Sequence, residues 1–285
     1  MSLSLKSKQL CFIGAGSMAE AIVRGLLEQE LVDPRQITMM NRQNADSLKV
    51  LESKYGIQTA SEISLKRDLI ASADILILAV KPKDADSALG EFRDLIREHQ
   101  LLVSVIAGLS IDTIHELLKR NVPIVRTMPN TSSTIGCGAT GMCFSTEVSG
   151  EQKETALSMF RSTGIVVEVA EQLLDTVTGL SGSGPAYIYY MMEAMMAAGI
   201  EGGLPEDAAR ELTLQTVLGA AQMVKMTGEQ PSELRRKVTS PNGTTQAALE
   251  VMDRGGFSGV VRKAVLRAAE RAKEMGEAIA SSMKG

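Results

Sequence analysis

Residues 11–20 read Cys11-Phe-Ile-Gly-Ala-Gly-Ser-Met-Ala-Glu20: an apolar run, a Gly-x-Gly-x-x-Ala turn, and the start of an amphipathic stretch. The apolar run is a buried strand ending at Ile13, and Met18 to Leu27 continues as a helix. Gly14 permits the tight turn, Gly16 lets a pyrophosphate approach the backbone, and Ala19 keeps the helix close to the sheet. A helix start also offers free N–H groups and the positive end of its dipole to phosphate. Ile13, Gly14, Ala15, Gly16, Ser17 and Met18 are therefore candidate cofactor contacts. An ordinary strand-to-helix turn reads the same way, so the context has to discriminate.

Outward from the turn, aliphatic or β-branched runs at 9–13, 37–40, 75–80, 102–106, 124–127 and 165–169 alternate with helical patterns. Those patterns cover 17–29, 45–55, 83–98 and 111–120. Strands that are apolar throughout, each separated by a helix, predict a parallel sheet covered on both faces. Right-handed crossovers make this an α/β fold with a Rossmann-type, doubly wound, mostly parallel sheet. Residues 136–145 add another strand. Beyond Gln172 the strand signal stops, and 185–199, 205–226, 244–252 and 259–283 read as helices. Pro185 and Pro205 suit first helical turns, where a missing N–H costs nothing. The expected division is an NAD(P)-binding domain at 1–172 and an all-α substrate-binding and dimerisation domain at 173–285. The stretch "YIYYMMEAMMAAG" at 187–199 is apolar nearly all round. It predicts a buried helix, in a core or against another subunit, and core packing is the plainer choice over lining a ligand site.

Composition narrows the function classes. The chain has 285 residues, 44% hydrophobic and 22% charged, with net charge −4 and no long run of either sign. Nothing in that balance draws it to nucleic acid or anionic lipid. Aromatics are 3% with no Trp, which disfavours base-stacking surfaces. The segment before Lys8 is short and polar, unlike a secretory leader, and no run approaches the ~18 apolar residues of a membrane span. Cys11, Cys137 and Cys143 are odd in number and read as reduced thiols of a cytoplasmic protein. No His or further Cys stands near Cys137 and Cys143, so no metal site is expected.

The strand ends specify the ligand. An NAD site places Asp or Glu at the end of its second strand to hold the ribose 2′-hydroxyl. Here that strand ends Met39-Met40-Asn41-Arg42, without an acid. Asn41 can bond a 2′-phosphate oxygen and Arg42 can neutralise it or stack on adenine, which favours NADP(H) with NAD(H) possible. Ala79-Val80-Lys81-Pro82, Ile106-Ala107-Gly108 and Met128-Pro129-Asn130-Thr131 leave further strands at the same edge. They form the expected walls of a nicotinamide slot, adding Ala79, Val80, Lys81, Pro82, Ala107 and Gly108 to the cofactor set. Lys81 is either a ribose or phosphate contact or a plain surface lysine.

Taken in order, "FIGAGSMAEAI", "ILAVKP", "VIAGLSI" and "MPNT" resemble pyrroline-5-carboxylate reductase. The resemblance continues through "LSGSGPAY" at 180–187 and "VTSPNGTTQAAL" at 238–249, which are more specific than the glycine loop. It covers nearly the whole chain. It implies NAD(P)H-dependent reduction of Δ1-pyrroline-5-carboxylate to L-proline, the last step of proline synthesis. It also implies a helical domain interleaved between two subunits, so a homodimer or a higher homo-oligomer of dimers.

A cyclic imine carboxylate needs hydride at C=N, a proton for nitrogen and a seat for its carboxylate. In "TSPNGTTQAAL" a loop enters a helix, with Pro241 and Asn242-Gly243 as the turn. N–H groups around Gly243, Thr244 and Thr245 can hold a carboxylate without Arg, and Thr244 or Thr245 can also cap the helix. Ser240, Gly243, Thr244 and Thr245 are the expected substrate contacts. By resemblance, Thr245 occupies the position whose hydroxyl lies near the substrate nitrogen, which makes it the catalytic candidate. A threonine hydroxyl is a weak acid, so it orients a protonated imine or relays a proton from water. Positioning then supplies the main catalytic power. The family pattern has Gly where this chain has Asn242, a residue that tolerates a left-handed backbone. By analogy Glu171 approaches the nicotinamide ribose; it stays outside the site set.

Two rivals use the same features. A hydroxy-acid dehydrogenase of this two-domain plan resembles the stretch 182–188 but carries a helical Lys as acid and base, where this chain has Ile188. His99 and His115 read as surface-helix residues far from the strand ends. Imine reduction tolerates that shortage of acid/base groups better than carbonyl reduction. A non-enzymatic dinucleotide-sensing module leaves the turn at 240–245 unexplained.

Overall fold

The computed structural model describes residues 5–42 and 44–282. Eight strands form one sheet: β1 (Leu10–Ile13), β2 (Ile37–Met40), β3 (Gln58–Ala60), β4 (Ile75–Leu78), β5 (Leu101–Ser104), β6 (Ile124–Met128), β7 (Gly138–Phe144) and β8 (Gly164–Glu168). Their order is β3-β2-β1-β4-β5-β6-β7-β8. All neighbours run parallel except β6 and β7. The reversal has a local cause: only a 3-10 turn, Thr131–Ile135, joins them, too short a connection for a parallel crossover. The strand order changes direction between β1 and β4, so a crevice opens beyond their carboxyl ends.

The connecting helices are α1 (Ser17–Glu28), α2 (Ala45–Tyr55), α3 (Ile63–Ser72), α4 (Ala85–Phe92), α5 (Ile111–Leu118), α6 (Gly150–Arg161) and α7 (Leu174–Val177). Alternate residues of each strand face opposite cores. Leu10 and Phe12 pack with Ile22, Leu48 and Phe160 from α1, α2 and α6. Cys11 and Ile13 pack with Ile70, Leu89 and Ile114 from α3, α4 and α5. A doubly wound sheet buried on both sides is the result.

Several expectations change. β3, α3, α6, α7 and the later helix Pro231–Lys237 fall outside every expected element. The helix expected over 83–98 is a 3-10 turn, Pro82–Asp84, followed by the short α4. Its tail is drawn into a loop by the fully buried Gln100, which accepts from Arg97 N at 2.7 Å and donates to Ile70 O and Ala73 O. His99 lies in that loop, exposed, and not on a helix.

Contacts divide the chain into Met1–Ser183 with Leu266–Gly285 as one unit and Gly184–Val265 as the other. The boundary anticipated at residue 172 falls inside the first unit, which also takes the chain's closing residues. The second unit contains α8 (Gly184–Glu201), α9 (Glu206–Thr227), α10 (Pro231–Lys237), α11 (Thr244–Arg254) and the opening of α12 (Phe257–Ser282). Pro185 lies in the first turn of α8, whereas Pro205 is the residue before α9. Core packing does not hold for α8: none of its residues is buried within the single chain, and Tyr190 is 76% exposed. The later part of α12 belongs to the first unit, where Ala272 and Ile279 are buried. Among the described residues, no helix is long and apolar enough to cross a membrane.

Candidate cofactor cleft and anion turn

At the end of β1 the chain must turn within bonding distance of two neighbouring strands. Gly14 has φ +113°, and a Cβ there would lie 2.3 Å from Ala79 O. Its N–H donates to Met40 O at 2.9 Å, while Ala79 N donates to Ile13 O at 2.9 Å. Only glycine satisfies that backbone and that approach. Gly16 differs: it is the N-cap of α1, contributes no side chain, and a Cβ on it would meet nothing within 4 Å. The first intrahelical bond of α1 is Glu20 N to Gly16 O, so the N–H groups before Glu20 have no partner inside the helix. An open cradle with unpaired donors fits a pyrophosphate.

The cleft beside this turn has a volume of about 850 Å³ and gathers Ile13, Gly14, Ala15, Gly16, Asn41, Arg42, Ala79, Val80 and Lys81. Ser17 and Met18 open α1 next to it, and Pro82 begins the 3-10 turn after Lys81, without lining it. Ala107 and Gly108 stand apart, in the loop after β5. Gly108, with φ +79°, is backed by α12: a Cβ there would lie 2.9 Å from Ala272 O, and one on Gly276 would lie 2.3 Å from Gly108 O.

The β2 exit is organised differently from the sequence expectation. The Asn41 amide donates to Asn44 O at 2.6 Å and Ser47 Oγ at 3.0 Å, and its oxygen accepts from Asn44 N at 3.1 Å. That side chain shapes its own loop. Arg42 is exposed and forms no ion pair among the described residues. Lys66, outside the expected site set, lines the same cleft at 8% exposure and donates to Asn41 O at 2.8 Å. No periodic signal marks it; only the fold brings α3 to the β2 exit.

Farther along the sheet, Arg126 on β6 is 7% exposed and pairs with Glu171 at 3.1 Å and Asp175 at 3.3 Å. Glu171 Oε1 also accepts from Ile111 N at 2.8 Å, so its carboxylate ties β6 to the start of α5. Asn130 donates to Ser181 O at 3.0 Å and accepts from Ala139 N at 3.2 Å, pinning the end of β6. Burial pushes the Cys11 thiol up to about 12, and burial with the nearby Glu171 charge pushes Cys143 to about 12. Both thiols are inert at neutral pH. His115, half-buried on α5, has Nε2 2.9 Å from Val122 O.

In the second unit, Asn242 takes the left-handed conformation, φ 59°, before α11. Gly243 N donates to Ser240 O at 3.0 Å, closing the turn. Gly243 itself is the N-cap, with no side-chain bond. Thr244 and Thr245 are the first residues of the helix, so neither acts as the cap. Asn242 N donates to Gln246 Oε1 at 2.8 Å, and the first intrahelical bond is Ala247 N to Gly243 O at 3.2 Å. The N–H groups of Thr244, Thr245 and Gln246 thus have no helical partner. Gly243 and Thr245 are half-buried, and Ser240 and Thr244 are exposed. The turn thus presents unpaired backbone donors at the positive end of a helix dipole.

Comparison with known proteins covers both parts of the chain. A family model described as pyrroline-5-carboxylate reductase dimerisation matches residues 171–275. One described as NADP oxidoreductase, coenzyme F420-dependent, matches residues 9–108. Pyrroline-5-carboxylate reductase 1 of Bacillus spizizenii is 42% identical over 272 residues, 95% of this chain and 91% of that protein. The solved pyrroline-5-carboxylate reductase of Coxiella burnetii has a TM-score of 0.86 at 38% identity, covering 94% of this chain and 98% of its own. The Plasmodium falciparum pyrroline carboxylate reductase, solved with NADP bound, has a TM-score of 0.85 at 29% identity, covering 96% and 100%. With relatives this similar along nearly its full length, the chain belongs to the pyrroline-5-carboxylate reductase family of NAD(P)-dependent oxidoreductases.

Proposed function

We infer that this chain reduces Δ1-pyrroline-5-carboxylate to L-proline, the last step of proline biosynthesis, and that it favours NADP(H) over NAD(H). The carrying observation is the turn before α11, where a left-handed Asn242 and a bare Gly243 N-cap leave helix N–H groups unpaired. It is a carboxylate seat that needs no Arg, in a chain that also carries a dinucleotide cleft. The preference for NADP(H) is supported by the β2 exit, which brings an exposed Arg42 to the cleft and has no acid.

When bound, NAD(P)H supplies the hydride for the imine carbon. The α1 start, with Gly16 in front, holds the pyrophosphate, and Lys81 meets ribose or phosphate. Pro82, Ala107 and Gly108, outside the cleft itself, are assigned to the nicotinamide end. Ser240, Gly243 and Thr244 hold the substrate carboxylate. The Thr245 hydroxyl orients the protonated imine nitrogen or relays its proton from water. Residues 173–285 serve substrate binding and dimerisation, in a homodimer or an assembly of dimers. The exposed apolar side chains of α8 and α9 support that, Tyr190 at 76% and Met226 at 84% among them. The free thiols suit a cytoplasmic location.

The test is pyrroline-5-carboxylate-dependent oxidation of NADPH. Tight NADPH binding with no turnover would overturn the reading. Thr245→Ala is expected to lower kcat by about tenfold or more at saturating substrate, on the scale of lost proton positioning. An unchanged kcat removes Thr245 from the mechanism.

A further inference from the structure

We propose that Lys66 is the residue through which this chain selects the phosphorylated dinucleotide, its ammonium meeting the phosphate monoester on the adenine-side ribose. The proposal rests on the preference for NADP(H) inferred above and names the side chain that carries it. Lys66 stands in the opening turn of α3, 8% exposed, and lines the cleft that Gly14 and Gly16 border. An ammonium has three donors. One goes to Asn41 O at 2.8 Å, and among the described residues Lys66 enters no salt bridge.

Two features make that placement costly in isolation. A largely covered lysine without a counter-ion gives up part of its hydration, and one carbonyl returns only some of it. The opening turn of a helix is also the end at which the dipole disfavours positive charge. A phosphate monoester relieves both costs, and it also suits the unpaired end of α3.

The carbonyl held by Lys66 belongs to the residue leaving β2, the strand end that discriminates between ribose substituents in this topology. The Asn41 amide is spent on Asn44 and Ser47 and leaves the phosphate to a cation. Arg42 is the alternative, but it is exposed, where solvent and salt screen its charge. The cleft is otherwise mixed, with Lys81 and Lys83 against Asp84 and Glu91, so net charge there does not explain selection by itself. A cation without a counter-ion at the β2 exit does.

The test uses the full chain and ligands that lack the reacting ring. Adenosine 2′,5′-bisphosphate and adenosine 5′-monophosphate are titrated calorimetrically into wild type, Lys66→Gln, Lys66→Met and Lys66→Arg. Gln keeps a donor for the Asn41 carbonyl, so it guards against simple collapse of the loop, and thermal unfolding reports that all variants fold. In the Gln variant the loss of affinity for the bisphosphate is expected to exceed the loss for the monophosphate by about tenfold or more, with Arg recovering most of it. Parallel losses for both ligands mean a purely structural lysine and overturn the proposal. If wild type and Lys66→Gln discriminate equally, the NADP(H) preference stands and Lys66 is not its source. If wild type itself does not discriminate, both fall.

Discussion

Gly14 and Gly16 share one turn and answer a methyl group in opposite ways. At Gly14 the backbone is left-handed, φ +113°, and the added Cβ would lie 2.3 Å from Ala79 O. Gly14→Ala is therefore expected to cost about 2–4 kcal/mol in urea unfolding, through backbone strain and overpacking. At Gly16 a Cβ meets nothing within 4 Å. Gly16→Ala should keep stability within about 1 kcal/mol, the range of an N-cap change. Its methyl fills the cradle before α1, so KM for NADPH should rise by about tenfold, read in the same preparations. Equal effects of the two substitutions on stability would contradict this division. Glu20, in the first turn of α1, accepts from Lys54 Nζ at 2.8 Å and Tyr55 OH at 2.9 Å. The Lys54 bond, above all, holds its carboxyl below the ordinary 4.5. The unfolded carboxyl therefore takes up its proton first as pH falls. Its stabilisation is complete above about pH 5 and is lost as pH drops through the folded value. Glu20→Gln should flatten the acid limb of Tm against pH and leave the slope around neutrality alone.

At the scale of elements, the sheet was legible where strands are continuous apolar runs. β1, β2, β4, β5 and β6 each bury nearly every residue, so their sequences show no polar alternation. β3 escaped because three residues, Gln58–Ala60, on the sheet edge bury only the last. α3 exposes most of its length and buries only Lys66 and Ile70, too little to make a periodic stripe. α6 had a readable start in the capping box of Ser149 and Gln152, which composition alone obscured. Lys66 and Arg126 were not legible at all, since their partners lie on other elements. Arg126 binds β6 to Glu171 and Asp175, with 7% of its own side chain exposed. Arg126→Met leaves two carboxylates facing a partly buried space and should cost about 3 kcal/mol in chemical denaturation. A change below about 0.5 kcal/mol would mean that solvent already satisfies the pair.

At the scale of the molecule, the second unit leaves a large apolar area bare. Among the described residues of that unit only Ala209 and Thr213 are buried, while Leu212, Leu218 and Met223 on α9 are each more than half exposed. Patches of that extent mark association surfaces. Tyr190→Glu with Leu212→Glu should shift the mass seen by light scattering toward a monomer. It should also lower thermal stability in a concentration-dependent way. A mass unchanged by both charges would place the association surface elsewhere. The sequence announced α8, α9, α11 and α12 through their Pro and Gly punctuation but not the seven-residue α10. It concealed which helix surfaces a single chain can cover, since that depends on a neighbour rather than on local periodicity.

The contact between Gly108 and Gly276 bears on how the protein is made. The loop after β5 is backed by residues that leave the ribosome only after all of 184–265 has emerged. The nucleotide-binding unit is therefore discontinuous in synthesis order. Its sheet can form early, but the wall behind Gly108 closes only once α12 has been released. A nascent chain stalled before Gly276 would carry an assembled sheet whose β5 loop is still unsupported.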